Sequence, residues 1–297
     1  MFQPLLEAGL RQTMQRMVRP MLSNVVPLKW QRQLIRQAYR TSVPPRSARF
    51  TLDDLGNVPV IRTVATPETR GVIIYLHGGG YIIGSANTHK GITGHLAKLS
   101  GCEVITPEYR LAPEHPFPAA LDDAESVYLA LISQGQPAGS IALAGDSAGG
   151  GLALALTMRL RDHQQPLPSS ITCFSPWTDL SQANLYQPEC EPVLQETWTA
   201  NAAKLYAAGE PLTNPLISPL HGNLTELPPL LIQVGSQEIL LNDASRLADA
   251  AKRDGVETHL EIYNNLWHVF QVHCGQLARA TQAVTVAAHH IRRHLTG

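Results

Sequence analysis

The run Gly145-Asp146-Ser147-Ala148-Gly149-Gly150 sets a serine hydroxyl between glycines in a G-x-S-x-G pattern. An apolar β run, Ile141–Ala144, precedes it, and a helical run, Leu152–Leu160, follows. A serine at such a strand-to-helix junction sits on a tight turn that lifts its hydroxyl clear of the backbone, where it can act as a nucleophile. Glycine is required beside it because a side chain there would strike neighbouring backbone. A second Gly-rich run, His77-Gly78-Gly79-Gly80, follows the strand-like Val72–Leu76. Backbone N–H groups in such a loop suit a developing oxyanion. Gly78 and Gly79 are the expected donors, with Ala148 N–H as the third. Gly78–Gly84 does not fit G-x-G-x-x-G, and no Gly-Lys pair completes a Walker phosphate loop. His77 precedes the nucleophile and stands at these donors, so it is read as an orienting residue rather than a base.

A serine raised on this turn needs an acid and then a histidine later in the chain. Beyond the β run Leu230–Val234 stand Glu238 and Asp243. Glu238 lies just past the strand's carboxyl end, where an open sheet presents its site residues. Asp243 falls where the next helix begins and suits that helix's N-terminus, beside the cap candidate Asn242. Glu238 is the preferred acid and Asp243 its competitor. Of twelve histidines, His77, His89, His95, His115, His163 and His221 precede the acid. His259 sits in an alternating strand, and His289, His290 and His294 in a terminal helix. His268 and His273 follow the last strand, and His268, in the loop Asn265–Phe270, fits the position of the base.

These side chains need strand ends to carry them. Apolar runs at Gly71–Leu76, Cys102–Thr106, Ser140–Ala144, Ile171–Phe174 and Leu230–Val234 alternate with helical stretches near 88–100, 118–133, 148–163 and 242–253. That alternation predicts an α/β fold with a mostly parallel central sheet flanked by helices. Val58–Ala65 is expected to pair with Ala48–Leu52 across a turn at 53–57. A last strand, His259–Tyr263, leads to a closing helix near 276–295. Residues 1–45 differ. Leu5, Leu6, Leu10, Met14, Met17 and Val18 recur at helical spacing, Pro20 and Pro27 interrupt, and Trp30, Leu34, Ile35 and Ala38 suggest a second helix before Pro44-Pro45. This segment reads as a helical cap on a catalytic domain of 46–297. The stretch 179–215 exceeds one crossover and reads as an insertion contributing to the cap.

Composition narrows the function classes. Lys and Arg number 23 against 24 Asp and Glu, and 44% of residues are hydrophobic. The near-neutral balance gives no sign of a nucleic-acid partner, and the chain is not of disordered type. Cys102, Cys173, Cys190 and Cys274 form no C-x-x-C pair, so neither a zinc knuckle nor a disulfide framework is indicated. Cys102 and Cys173 are expected inside strands as reduced thiols. No apolar stretch approaches the roughly 18 residues of a membrane span, and no signal-peptide pattern opens the sequence, so a cytoplasmic location is expected.

Several motifs together resemble one family. They are HGGG at 77–80, Tyr109-Arg110-Leu111-Ala112-Pro113-Glu114-His115-Pro116-Phe117-Pro118 with Ala119–Asp123, GDSAGG at 145–150, Ser175-Pro176-Trp177-Thr178-Asp179-Leu180 and Trp267-His268-Val269-Phe270. Over roughly 58–290 the chain resembles the bacterial hormone-sensitive-lipase-like branch of the α/β-hydrolases. Most members carry Asp-Pro-Leu where this chain has Glu238-Ile239-Leu240. The resemblance implies an α/β-hydrolase fold, carboxylester hydrolysis with no cofactor or metal, and a cap built from the N-terminal segment. The expected catalytic set is Ser147, Glu238 and His268, acting on short- to medium-chain esters through an acyl-enzyme. Tyr81, Trp177 and Trp198 are expected along the acyl pocket. Lactone or amide hydrolysis by the same triad is an alternative, and a non-catalytic small-molecule receptor of the same fold is another. The complete nucleophile, base and acid favour the enzyme. The partner implied is a small ester, with at most a second copy of the chain.

Overall fold

In the computed structural model, which describes residues 2–187 and 191–296, the longest apolar runs become the inner strands. Eight strands form one sheet: β1 Arg49–Leu55, β2 Val58–Val64, β3 Val72–Leu76, β4 Glu103–Pro107, β5 Ile141–Asp146, β6 Ile171–Phe174, β7 Leu230–Gly235 and β8 Thr258–Tyr263. Their order is β1-β2-β4-β3-β5-β6-β7-β8. β1 and β2 run antiparallel to each other, and β2 to β4, while the other neighbours are parallel. β3, β5, β6 and β7 are buried along their whole lengths, as unbroken apolar strands covered on both faces must be.

The alternation of a strand sorts its side chains between two layers. Ile73, Tyr75, Ala142 and Ala144 pack under α4 (Lys90–Ser100) and α9 (Ala278–His294). Ile74, Leu76, Leu143 and Ile232 join the larger core, with α5 (Ala119–Ser133), α6 (Ala148–Asp162) and α8 (Leu241–Arg253). The β1–β2 turn is tighter than expected: Asp53, Asp54 and Leu55 extend the strand, and Gly56 and Asn57, both with positive φ, make the turn. Cys102 is buried just ahead of β4 rather than in it, and Cys173 lies within β6. Cys190 falls outside the described residues.

The N-terminal segment folds as α1 (Phe2–Thr13), a π-turn at Met14–Val18, α2 (Arg19–Met21) and α3 (Leu28–Ala38). Pro20 does not end the helix. The backbone stays helical through Val18 and Arg19 to Met21, and the π-turn at Met14–Val18 lies just where the ring and missing N–H of Pro20 disturb the regular ladder. Trp30 belongs to α3 but points away from its buried face, which is formed by Gln31 and Ile35. Within 179–215 the principal element is α7 (Glu196–Ala207).

The tightest clearance lies where α6 leaves β5. A Cβ on Gly149 would run into the carbonyl oxygens of Leu76 and His77. Gly149→Ala is expected to lower unfolding free energy by about 1–3 kcal/mol, read as a lower denaturant midpoint at unchanged slope. Gly9→Ala, in open space on α1, should show no such loss.

Candidate active site

Ser147 sits between β5 and α6 with φ 53° and ψ −121°, a backbone conformation that a non-glycine residue holds only when its surroundings over-determine it. Those surroundings are explicit. Ser147 N donates to Phe174 O at 2.8 Å, and Ser147 O accepts from Trp177 N at 2.9 Å and Gly150 N at 3.0 Å. The turn is thus pinned to the end of β6, leaving the hydroxyl on a cavity that His268 also lines.

His268 is carried by the loop after β8, where Val269 takes a left-handed φ of 51°. Its Nδ1–H donates to Glu238 Oε2 at 2.8 Å. The other carboxylate oxygen of Glu238 accepts from Ser175 Oγ at 2.7 Å and from Gly235 N at 2.6 Å. Ser175 Oγ in turn accepts the Val269 N–H at 3.0 Å, so one hydroxyl ties the acid to the histidine loop. Burial works to depress the His268 pKa, but the hydrogen bond and charge of Glu238 outweigh it and raise it above the ordinary histidine value. Ser147 Oγ and the His268 ring share this cavity without a direct hydrogen bond between them.

Asp243 is not the partner of His268. Its carboxylate accepts the N–H groups of Thr178 and Asp179, each at 2.9 Å, at the start of α8. Burial pushes its pKa up to about 7.

On the other side of Ser147, Asp146 anchors the glycine loop. Its Oδ1 accepts from Tyr75 OH at 2.8 Å and from Gly78 N at 3.0 Å, with His89 Nε2 at 3.4 Å. Burial alone would raise Asp146, yet His89 and Tyr75 hold it below the usual carboxylate range. His89, buried as well, is held above its usual value by Asp146. This corrects one expectation. The Gly78 amide is already spent on Asp146 and is not free for an oxyanion. Gly79, Gly80 and Ala148 have amides with no acceptor among the described residues, the first two on the cavity wall and the third opening α6. His77 is a neutral, buried ring, pushed down to about 3 by burial, that donates Nδ1–H to Gly78 O and stacks on Tyr109.

The cavity encloses about 80 Å³. Its apolar walls come from Met14, Val18 and Ile35 of the N-terminal segment and from Val193, Leu194 and Trp198 of the 179–215 stretch. Trp198 is braced by its Nε1–H bond to Gln31 Oε1 at 2.7 Å. Tyr81 and Trp177, expected on this wall, are not there. Tyr81 stacks on Tyr206 with ring centroids 3.7 Å apart, and Trp177 is buried beside it. Two residues escaped the sequence reading. Ser175 carried a signal, a hydroxyl at the carboxyl end of β6. Glu191 carried none: it is a buried loop carboxylate that accepts from Val193 N and from Ile239 N, beside Glu238. No cluster of three or more metal-ligating side chains occurs among the described residues, and no described helix is long and apolar enough to cross a membrane.

Comparison with known proteins gives a consistent picture. A family model described as alpha/beta hydrolase fold matches residues 73–272. An acetyl-hydrolase of Streptomyces hygroscopicus is 41% identical over 223 residues, 74% of this chain and 75% of its own. An esterase of Acinetobacter venetianus is 37% identical over 271 residues, 84% of this chain and 89% of its own. The crystal structure of an esterase from the bacterial hormone-sensitive lipase family superposes with a TM-score of 0.91 at 34% identity, covering 98% of each chain.

The Glu238–His268 contact has a direct spectroscopic consequence. In NMR titration the His268 imidazole should titrate above pH 6.5. Glu238→Gln should lower that midpoint, and Asp243→Asn should leave it in place. A shift with Asp243→Asn alone would reverse the assignment.

Proposed function

Because the chain belongs to the alpha/beta hydrolase fold family, within its bacterial hormone-sensitive-lipase branch, we propose that it is a serine carboxylesterase working through an acyl-enzyme. The observation that carries this reading is a strained Ser147 on one cavity with a His268 whose Nδ1–H is already committed to Glu238. With that nitrogen fixed as donor, Nε2 is left as the acceptor.

In the proposed first half-reaction, His268 Nε2 takes the Ser147 hydroxyl proton as Oγ attacks the ester carbonyl. Glu238 stabilises the imidazolium that forms. The carbonyl oxygen becomes an oxyanion, received by the free amides of Gly79, Gly80 and Ala148 in place of the Gly78 first expected. Collapse breaks the bond to the alcohol, which leaves with the proton from His268. Water then attacks the acyl-enzyme, gives its proton to His268, and the acid is released as Ser147 recovers its hydrogen.

The small cavity supports short- to medium-chain acyl groups, since about 80 Å³ is well under the roughly 300 Å³ where pockets for drug-sized ligands begin. Trp198, held by Gln31, is the proposed limit on acyl length. The N-terminal segment and the 179–215 stretch act together as the cap in this reading.

Three measurements test it. Ser147→Ala should abolish turnover of p-nitrophenyl acetate and the mass adduct from a serine-directed fluorophosphonate; undiminished turnover overturns the proposal. The acid limb of kcat/KM should lie above pH 6.5, because the active base is neutral His268 and Glu238 raises its pKa. Glu238→Gln should move that limb to lower pH and cut kcat by about 1000- to 10,000-fold. Trp198→Ala should raise kcat/KM for an octanoate ester relative to acetate by about tenfold.

A further inference from the structure

Charge is sharply segregated along this chain. Residues 1–50 hold nine Lys and Arg and a single acidic residue, Glu7, while the rest holds 14 basic and 23 acidic residues. Exposed apolar side chains follow the same division. Of the eight large hydrophobic residues that are exposed among the described residues, five lie in the first 45: Leu5, Met17, Val25, Trp30 and Val43. Val25 is 89% exposed and Trp30 56%.

The two features share one segment and oppose its inner face. On α3, Gln31 and Ile35 turn inward, whereas Lys29, Trp30, Gln33, Arg36 and Gln37 face solvent. Arg16, Lys29, Arg36, Arg40 and Arg46 are exposed and make no ion pair among the described residues. Arg32 and Arg19, by contrast, are engaged inward, with Glu114 and Glu191 O. The inner side of the same segment supplies Met14, Val18 and Ile35 to the cavity.

We propose that the outer face of the N-terminal segment docks on an anionic phospholipid surface, bringing the cavity roof to the lipid boundary. Cations interleaved with exposed aromatic and aliphatic side chains suit such a boundary, where headgroup phosphates meet Arg and Lys and the apolar groups enter the acyl edge. A nucleic acid would answer the charges but leave Val25 and Met17 in water. The acidic remainder of the chain turns the molecule so that this face leads. Docking stands apart from the ester reading, because it is measured without turnover.

The experiment uses the whole protein with large unilamellar vesicles of phosphatidylcholine alone or mixed equally with phosphatidylglycerol. Co-sedimentation should be strong on the mixed vesicles, weak on the neutral ones, and lost in high salt. Trp30 is the one exposed tryptophan, the other three being buried, so a blue shift of emission on anionic vesicles that disappears in Trp30→Phe reports its insertion. Lys29→Gln, Arg36→Gln and Arg40→Gln together should weaken partition by about 100-fold, at roughly fivefold for each charge removed near the surface. These three residues do not line the cavity, so turnover of a soluble acetate ester should be unchanged and certifies that the variant is folded. Equal partition onto neutral and anionic vesicles overturns the proposal. So does an unmoved Trp30 spectrum, or salt-sensitive association with duplex DNA or with a second copy of the chain in place of vesicles.

Discussion

The site depends on one backbone turn that cannot relax. Ser147 holds a conformation that costs on the order of 1–3 kcal/mol, and it is held because its amide is bound to the last residue of β6 and its carbonyl to the chain just beyond. α6 can start that close to β3 only because Gly149 has no side chain against Leu76 and His77. Serine placement, helix packing and the alignment of the glycine loop are therefore one constraint. A change to any of them reaches the others through contacts that have no slack.

Two buried carboxylates flank this turn and perform different tasks. Glu238 faces His268 and is itself steadied by Ser175 and Gly235. Asp146 faces the other way, toward Tyr75, His89 and the Gly78 amide, and fixes the shape of the loop beside the nucleophile. A third, Asp243, sits close in sequence to Glu238 but only receives two backbone amides. What separates the roles is the partner that each meets: an imidazole on the loop after β8, a buried tyrosine and histidine beside the glycine loop, or two backbone amides after β6.

The strands and helices of the sheet were legible to within a few residues because each is a short apolar run between polar turns. That Ser147, Glu238 and His268 would gather at one end of the sheet was legible because such sheets present side chains at strand ends in chain order, and the structure brings Glu238 and His268 to 2.8 Å. Donor identity was not legible. Whether Gly78 or Gly80 offers a free amide turns on where Asp146 points, which no pattern of glycines encodes. The pocket walls failed for a similar reason. Tyr81, Trp177 and Trp198 are alike as buried aromatics, and only the placement of α7 over Gly80 puts Trp198 at the cavity. Pro20 misled because a proline carried in the last turn of a helix, behind a π-turn, reads the same as one that breaks the helix.

The roof of the cavity is closed by bonds between distant parts of the chain. Ser42 Oγ donates to Val272 O, 230 residues away, and Trp198 reaches back 167 residues to Gln31. The segment that roofs the cavity thus meets surfaces drawn from much of the chain, from Gly79 to Val272. A polypeptide truncated before Val193 would leave Met14, Val18 and Ile35 without the apolar side chains of Val193, Leu194 and Trp198 and so display a sticky, cationic segment. The long separations also place this closure late and slow among folding events. The walls around Ser147 are therefore complete only when both ends of the chain have met.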